Sequence, residues 1–477
     1  MLASSACPNC GAPPPSAVPM PVKRWSVLLL LCTLASPLSA TDDLGDLARA
    51  YVAAHNGAHL SLPSFARQTG LACSACHYQF LTLTPFGRKF KLNGYTLTNL
   101  VPLTEKDSTN GGKLSLSPVS LLAGMVTTGV TRTKDDQPDT QNGAAALPQE
   151  LSGFLAGRIS SQMGLFSQFT YSGADGAFGI DNVDIRFANK TSIGNAELAY
   201  GATLNNSPSV QDLWNTTPVW GYPFIGSDAA PSGAAGTLID EGLAQNVLGF
   251  GGYAMLANHV YGEFSVYRSA LQGSAAPTSA TGAIDGVAPY WRLALQQEWE
   301  HQYLMIGTFG LHANLFPDAV SGPQDDYTDI GADAQFETAV GSGNIVLRGS
   351  YVHEDQTLDA TAAAGGSNNV TNTLEVIRFN ASWYPKQWIG LSGGYFDTQG
   401  STDAGLYAPD PVEGSANGSP KTDGFVGEID LNPWENTRMG LQYTGYSNFN
   451  GGKTNYDGSG RNASGNNTLF AFVWLAF

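Results

Sequence analysis

The stretch Gly179-Ile-Asp-Asn-Val-Asp-Ile-Arg-Phe-Ala188 decides how this chain is read. In an extended chain Val183, Ile185 and Phe187 point one way, while Asn182, Asp184 and Arg186 point the other. The same dyad returns further along. In Lys421 to Leu431, Phe425, Ile429 and Leu431 oppose Glu428 and Asp430; in Asn372 to Tyr384, Ile377, Phe379 and Trp383 oppose Arg378, Asn380 and Ser382. Such alternation suits a strand with one apolar and one polar face, in a soluble sandwich or in a membrane barrel.

The connections separate these two. Strands are expected near 114–130, 150–160, 162–172, 179–189, 194–204, 243–257, 259–270, 289–300, 302–315, 327–339, 343–354, 372–384, 387–398, 421–431, 435–447 and 467–477. That makes sixteen, an even number. Every second joint is short (Ser160-Ser161, Ala257-Asn258, His301, Pro385-Lys386), and those between are mostly long: 131–149, 205–242, 271–288, 355–371, 399–420 and 448–466. Short turns alternating with long loops mark an outer-membrane β-barrel, the short turns lying in the periplasm. Both chain ends are then expected on the periplasmic side.

The last residues, Leu469-Phe-Ala-Phe-Val-Trp-Leu-Ala-Phe477, resemble the insertion signal of bacterial outer-membrane proteins. Trp220, Tyr222, Tyr253, Tyr261, Trp291, Trp299, Trp383 and Trp388 are expected in the aromatic girdles. Composition agrees: 13% charged residues, 10% aromatic and 56 Gly suit short strands and turns. A mean hydropathy of −0.11 suits a barrel whose two faces cancel. Beyond residue 40 no stretch approaches the ~20 apolar residues of a membrane helix.

Ahead of the barrel lies an export signal. Lys23-Arg24 precedes the apolar run Trp25 to Leu34, and small residues lead to Ala40. Residues 1–40 are read as leader, with Met20 the true start and a signal peptide ending at Ala40. Cys7 and Cys10 would make half a zinc site, but no second Cys pair completes four ligands. Cys32 falls inside the apolar run, where Leu31 lacks the small residue of a lipoprotein cut.

Two cysteines survive that cut, Cys73 and Cys76, too close together to staple a useful disulfide loop. Cys73-Ser-Ala-Cys76-His77 matches C-x-x-C-H, the attachment signature of a c-type haem. Two thiols three residues apart reach the two vinyl groups, and the adjoining imidazole faces the iron. One covalently bound haem c is therefore expected, with His77 as proximal ligand. His55, on the apolar stripe Leu44, Leu47, Ala48 and Tyr51, and His59 are the distal candidates, with Met125 or no protein ligand as the alternatives. The domain reading is a leader (1–40), a mainly helical or irregular monohaem segment (41–112) and a barrel (113–477).

The net charge of −17, from 23 Lys and Arg against 40 Asp and Glu, argues against nucleic acid and for cationic partners. Asp135, Asp136, Asp325 and Asp326 are read as acidic loop residues able to concentrate a cation.

Pro63-Ser-Phe-Ala-Arg67-Gln-Thr-Gly70-Leu-Ala-Cys73-Ser-Ala-Cys76-His77, followed by Leu83-Thr-Pro85-Phe86-Gly87-Arg88-Lys-Phe90-Lys91-Leu-Asn-Gly94-Tyr95, resembles the fused monohaem cytochrome–porin family of outer-membrane iron(II) oxidases. The likeness is specific over 63–100 and architectural beyond. It implies a small cytochrome plugging or capping a barrel of about sixteen strands. It also implies an oxidoreductase of the iron(II):cytochrome c type, taking electrons from extracellular iron(II) to periplasmic cytochromes. Carried over by position are Cys73, Cys76 and His77, with Arg67, Arg88 and Lys91 as partners for the haem propionates. The rival readings are a conduit for another redox donor or acceptor, and a diffusion porin with an accessory haem.

Overall fold

The computed structural model describes residues 63–97, 120–138, 140–270, 282–317 and 321–477; the leader, Cys7, Cys10, Cys32, His55 and His59 lie outside them. Sixteen antiparallel strands form the wall. They are β1 (Leu122–Thr133), β2 (Ala145–Arg158), β3 (Met163–Ser172), β4 (Ala177–Ile193), β5 (Ala196–Asn205), β6 (Val247–Leu256), β7 (Val260–Ser269) and β8 (Ala288–Glu298). The circuit continues through β9 (Gln302–Phe316), β10 (Asp325–Val340), β11 (Gly343–Thr357), β12 (Thr371–Lys386), β13 (Ile389–Gly400), β14 (Thr422–Trp434), β15 (Thr437–Asn448) and β16 (Thr468–Ala476). Each pairs with the next, and β16 returns to β1 in the register Thr468↔Thr133 to Ala476↔Met125. Closure leaves no edge with unpaired backbone groups, which is what lipid demands.

Burial identifies the solvent on each side. Phe425 and Ile429 are 53% and 51% exposed, whereas Glu428 and Asp430 between and beside them are 3% and 0%. Ile377, Phe379 and Trp383 likewise face out, while Asn380 and Ser382 are buried. A soluble sandwich would invert this order. The wall is apolar outside and polar inside, as in an outer-membrane barrel. Trp299, Trp383, Trp388 and Trp434 are exposed and lie at the end with short turns.

Four aromatics expected in the girdles are elsewhere. Tyr253 and Tyr261 are buried because the strand alternation turns them into the lumen, and Trp220 and Tyr222 lie on the loop 206–246. The first strand begins at Leu122, later than expected; 120–121 precede it, and 114–119 are outside the described residues. The strand β10 begins earlier than expected, so Asp325 and Asp326 belong to the wall and not to a loop. Asp325 faces inward, buried, and accepts hydrogen bonds from Ala360 N, Thr361 N and Thr361 Oγ1 at 2.9, 3.3 and 2.9 Å. Asp326 lies 3.5 Å from His312 Nε2. Asp135 and Asp136 do lie in a long loop, where Arg461 donates to both of their carbonyls.

Candidate haem-attachment site inside the barrel

Residues 63–97 occupy the lumen at the short-turn end. Three short helices, α1 (Ser64–Thr69), α2 (Cys73–Cys76) and α3 (Pro85–Leu92), flank a small hairpin, His77–Gln79 with Thr82–Leu83. Helix α1 ends on Gly70 in the left-handed region, whose N–H closes on Ala66 O. Helix α3 starts from Thr84, which caps Gly87 N at 3.1 Å, with Pro85 at its first position. Thr84 Oγ1 also donates to Ala75 O at 2.6 Å, tying α3 to the motif. Gly87 makes this closeness possible: a Cβ there would stand 2.2 Å from the Cys76 carbonyl oxygen. Phe65, Phe90 and Tyr95 form the segment's own core, with ring centroids 5.1 and 5.5 Å from Phe65.

The wall grips this segment from all sides. Gln68 donates to Ala156 O at 2.9 Å and accepts from Arg158 N at 3.0 Å, on β2. Tyr95 OH donates to Asp184 on β4 at 2.6 Å, and Tyr253 OH on β6 donates to Leu92 O at 2.8 Å. Tyr78 OH donates to Glu337 on β10 at 2.9 Å, and the same carboxylate pairs with Arg88. Arg88 also lies over the Tyr303 ring, 4.0 Å from its centroid. Phe80 packs on Trp474 of β16, centroids 4.7 Å apart. The Cys73 N–H donates to Glu435 Oε2, on the short turn between β14 and β15, at 3.1 Å.

Cys73 and Cys76 are partly buried and unpaired with each other. Burial, then the nearby Glu435 charge, pushes the Cys73 thiol up to about 11; burial, then Cys73, pushes Cys76 up to about 12. Both stay thiols at neutral pH. Burial lowers His77 to about 4, so its imidazole is neutral, the form that ligates a metal. Its Nδ1 is buried without a hydrogen-bond partner among the described residues. Two neutral thiols on one helical turn beside a neutral imidazole with an orphaned nitrogen fit a covalent haem. Met125, the alternative distal ligand, lies in a cluster with Phe80 and accepts from Trp474 Nε1 through its sulfur.

Of the three basic residues expected to meet propionates, Arg88 is committed to Glu337 and Arg67 donates to the Leu122 carbonyl. Lys91 remains: among the described residues its Nζ bonds only the Val210 carbonyl and Asn215 Oδ1, at 2.9 and 3.0 Å. The residues that hold the motif, Glu337, Glu435 and Asn215, carried no signal in the sequence. Each is an ordinary polar residue until the barrel closes.

Against the segment, the long loop 206–246 folds back across the lumen. Asp212 caps Thr216 and Thr217 N–H at 2.7 and 3.1 Å and, with Asp333, flanks Arg292 of β8 at 3.3 and 2.7 Å. Asp240 pairs with Arg378 of β12, and Gln442 of β15 donates to Ile225 O at 2.8 Å. The loop thus reaches opposite walls.

No protein-family model and no curated protein matches the sequence. Among solved structures, the chain is similar to Salmonella typhi OmpF in complex with daunomycin, at 10% identity and TM-score 0.44, over 75% of this chain and 97% of that one. It is also similar to the anion-selective porin from Comamonas acidovorans, at 15% identity and TM-score 0.41, over 75% and 98%. A third is the outer-membrane channel DcaP of Acinetobacter baumannii, at 12% identity and TM-score 0.41, over 75% and 96%. Likeness this distant leaves the use of the lumen to be argued from its own residues.

Proposed function

We propose that this protein is an outer-membrane electron conduit, a monohaem cytochrome fused to a porin-type barrel that oxidises extracellular iron(II). The observation that carries the reading is the place of Cys73, Cys76 and His77: inside the lumen, on a segment bound to the wall from β2 round to β16. A covalent haem held there would supply a one-electron couple between iron(II) outside and a periplasmic c-type cytochrome.

The chain's own residues do the rest. Glu337 fixes Arg88 and Tyr78, Glu435 fixes the Cys73 N–H, and Thr84 clamps Ala75, so the motif is anchored at both ends. The loop 206–246 and residues 63–97 fill lumen that a diffusion porin would leave to water. Assigning the short turns to the periplasm puts both chain ends and the motif on the side where a soluble carrier can dock. A net charge of −17 favours approach of a small dication from the opposite face.

The test is direct. Purified protein should stain for covalent haem, its oxidised form should be reduced by iron(II), and planar bilayers containing it should show little ion conductance. Haem that dithionite reduces but iron(II) does not would remove iron as donor and leave a conduit for another redox partner. Free conductance without haem reduction would favour the diffusion porin.

A further inference from the structure

The lumen cations are not treated alike. Arg186 meets Asp184 at 2.7 Å, Arg292 meets Asp333 at 2.7 Å, and Arg438 meets Asp430 at 2.7 Å and Glu428 at 2.5 Å. Arg88 and Arg378 also pair with carboxylates, Glu337 and Asp240. Arg348 and Lys91 are different. Both are buried, 5% and 6% exposed, and among the described residues neither contacts a carboxylate.

The two converge on one residue. Arg348 NH1 donates to Asn215 O at 3.2 Å, and Lys91 Nζ donates to Asn215 Oδ1 at 3.0 Å. Asn215 is in the left-handed region, φ +54°, a conformation that asparagine tolerates better than most residues. Its side-chain amide donates to Leu81 O at 3.1 Å, so wall, loop and haem segment meet at this point. Two donors here have no acceptor among the described residues: Arg348 NH2 and the indole Nε1 of Trp220, whose ring lies 4.7 Å from Lys91 Nζ.

Buried cations that bond only neutral oxygens lack the counter-charge that normally offsets their desolvation. Burial, and after it the nearby Arg186 charge, draws Lys91 down to about 7. An anion between these groups would restore that charge and take up the orphaned N–H donors.

We propose that Lys91, Arg348 and Trp220 form a binding site for an oxyanion in the lumen, a carboxylate or phosphate group. Two sources share that chemistry: a propionate of a haem attached at Cys73 and Cys76, or a free inorganic anion. The first source rests on the haem reading; the second does not.

The experiment uses full-length protein in detergent, with haem content measured as the pyridine haemochrome. Inorganic phosphate is titrated calorimetrically into the haem-loaded protein and into the haem-free Cys73→Ala/Cys76→Ala protein. Haem midpoint potential is measured for the loaded protein, and both readings are repeated in Arg348→Gln and Lys91→Met. Lys91→Met lies outside the wall, so barrel assembly does not depend on it. If the source is free, loaded protein binds phosphate, at least ~10-fold more weakly in either variant, and the potential is unchanged. If the source is a propionate, only haem-free protein binds phosphate, and both variants shift the potential of the loaded form. Phosphate binding absent from both forms, with an unshifted potential in both variants, overturns the site. So does phosphate binding that neither variant weakens. A chain without haemochrome would defeat the haem reading alone and leave the phosphate titration to decide.

Discussion

The wall and the segment inside it are built on different rules. Every wall strand bonds its sequence neighbour through main-chain groups, so the instruction for it is local and has period two. The one long-range pair, β16 with β1, uses the same ladder. Residues 63–97 form short helices and a small hairpin, and are held in place by side chains from far along the chain. Tyr78 and Arg88 reach Glu337, about 250 residues on, and Thr82 meets Tyr384. The wall therefore needs nothing from the segment, while the segment's place depends on the wall.

The sharpest way to break that contrast is Cys73→Ala with Cys76→Ala. Covalent haem should disappear from stained gels, while heat-modifiable barrel should remain in the outer membrane at the wild-type level. Loss of the barrel along with the haem would mean that the wall does depend on the segment.

Deleting Phe477 attacks the wall instead. Its backbone exchanges hydrogen bonds with Gly124 at 2.8 and 2.9 Å, and its ring covers the space where a Gly124 side chain would lie. Without it the closing pair of β16 and β1 is shortened, and membrane-inserted barrel should fall severalfold in fractionation. Undiminished insertion would count against closure as the step that residue serves.

Glu337→Gln acts on the junction. It leaves the buried Arg88 without its counter-charge, a change that costs about 3–5 kcal/mol in buried pairs. Hydrogen exchange should quicken across 63–97 while the strands stay protected. Equal loosening of wall and segment would erase the distinction.

The smallest effect concerns approach from outside. Iron(II) reduction of the oxidised protein should slow as ionic strength rises, with an unchanged reduced spectrum, because screening alters only encounter. Asp135→Asn with Asp136→Asn should lower the low-salt rate modestly. Asp325 is unsuited to that test, since it caps Ala360 and Thr361.

These differences also explain what the sequence made legible. Sixteen strands could be placed because alternation and turn length are local, and all sixteen stand close to their expected spans. Direction was harder to read for aromatics: Tyr253 and Tyr261 have the composition of girdle residues, but strand parity turns them inward. Trp220 and Tyr222 followed the loop 206–246 into the lumen, a fold-back that no short-range pattern announces. The motif Cys73-Ser-Ala-Cys76-His77 could be picked out because the pattern that proposes a haem lies in five consecutive residues. Its anchors were not, since Glu337 and Glu435 acquire their roles only when the closed barrel encloses the segment.

The central claim is that electrons cross this barrel by way of the segment it holds. Proteoliposomes with the long loops outward and soluble cytochrome c enclosed test it most directly. Iron(II) added outside should reduce the enclosed cytochrome with wild-type protein and not with the Cys73→Ala/Cys76→Ala protein. Equal reduction with both proteins, or none with either, would contradict the account.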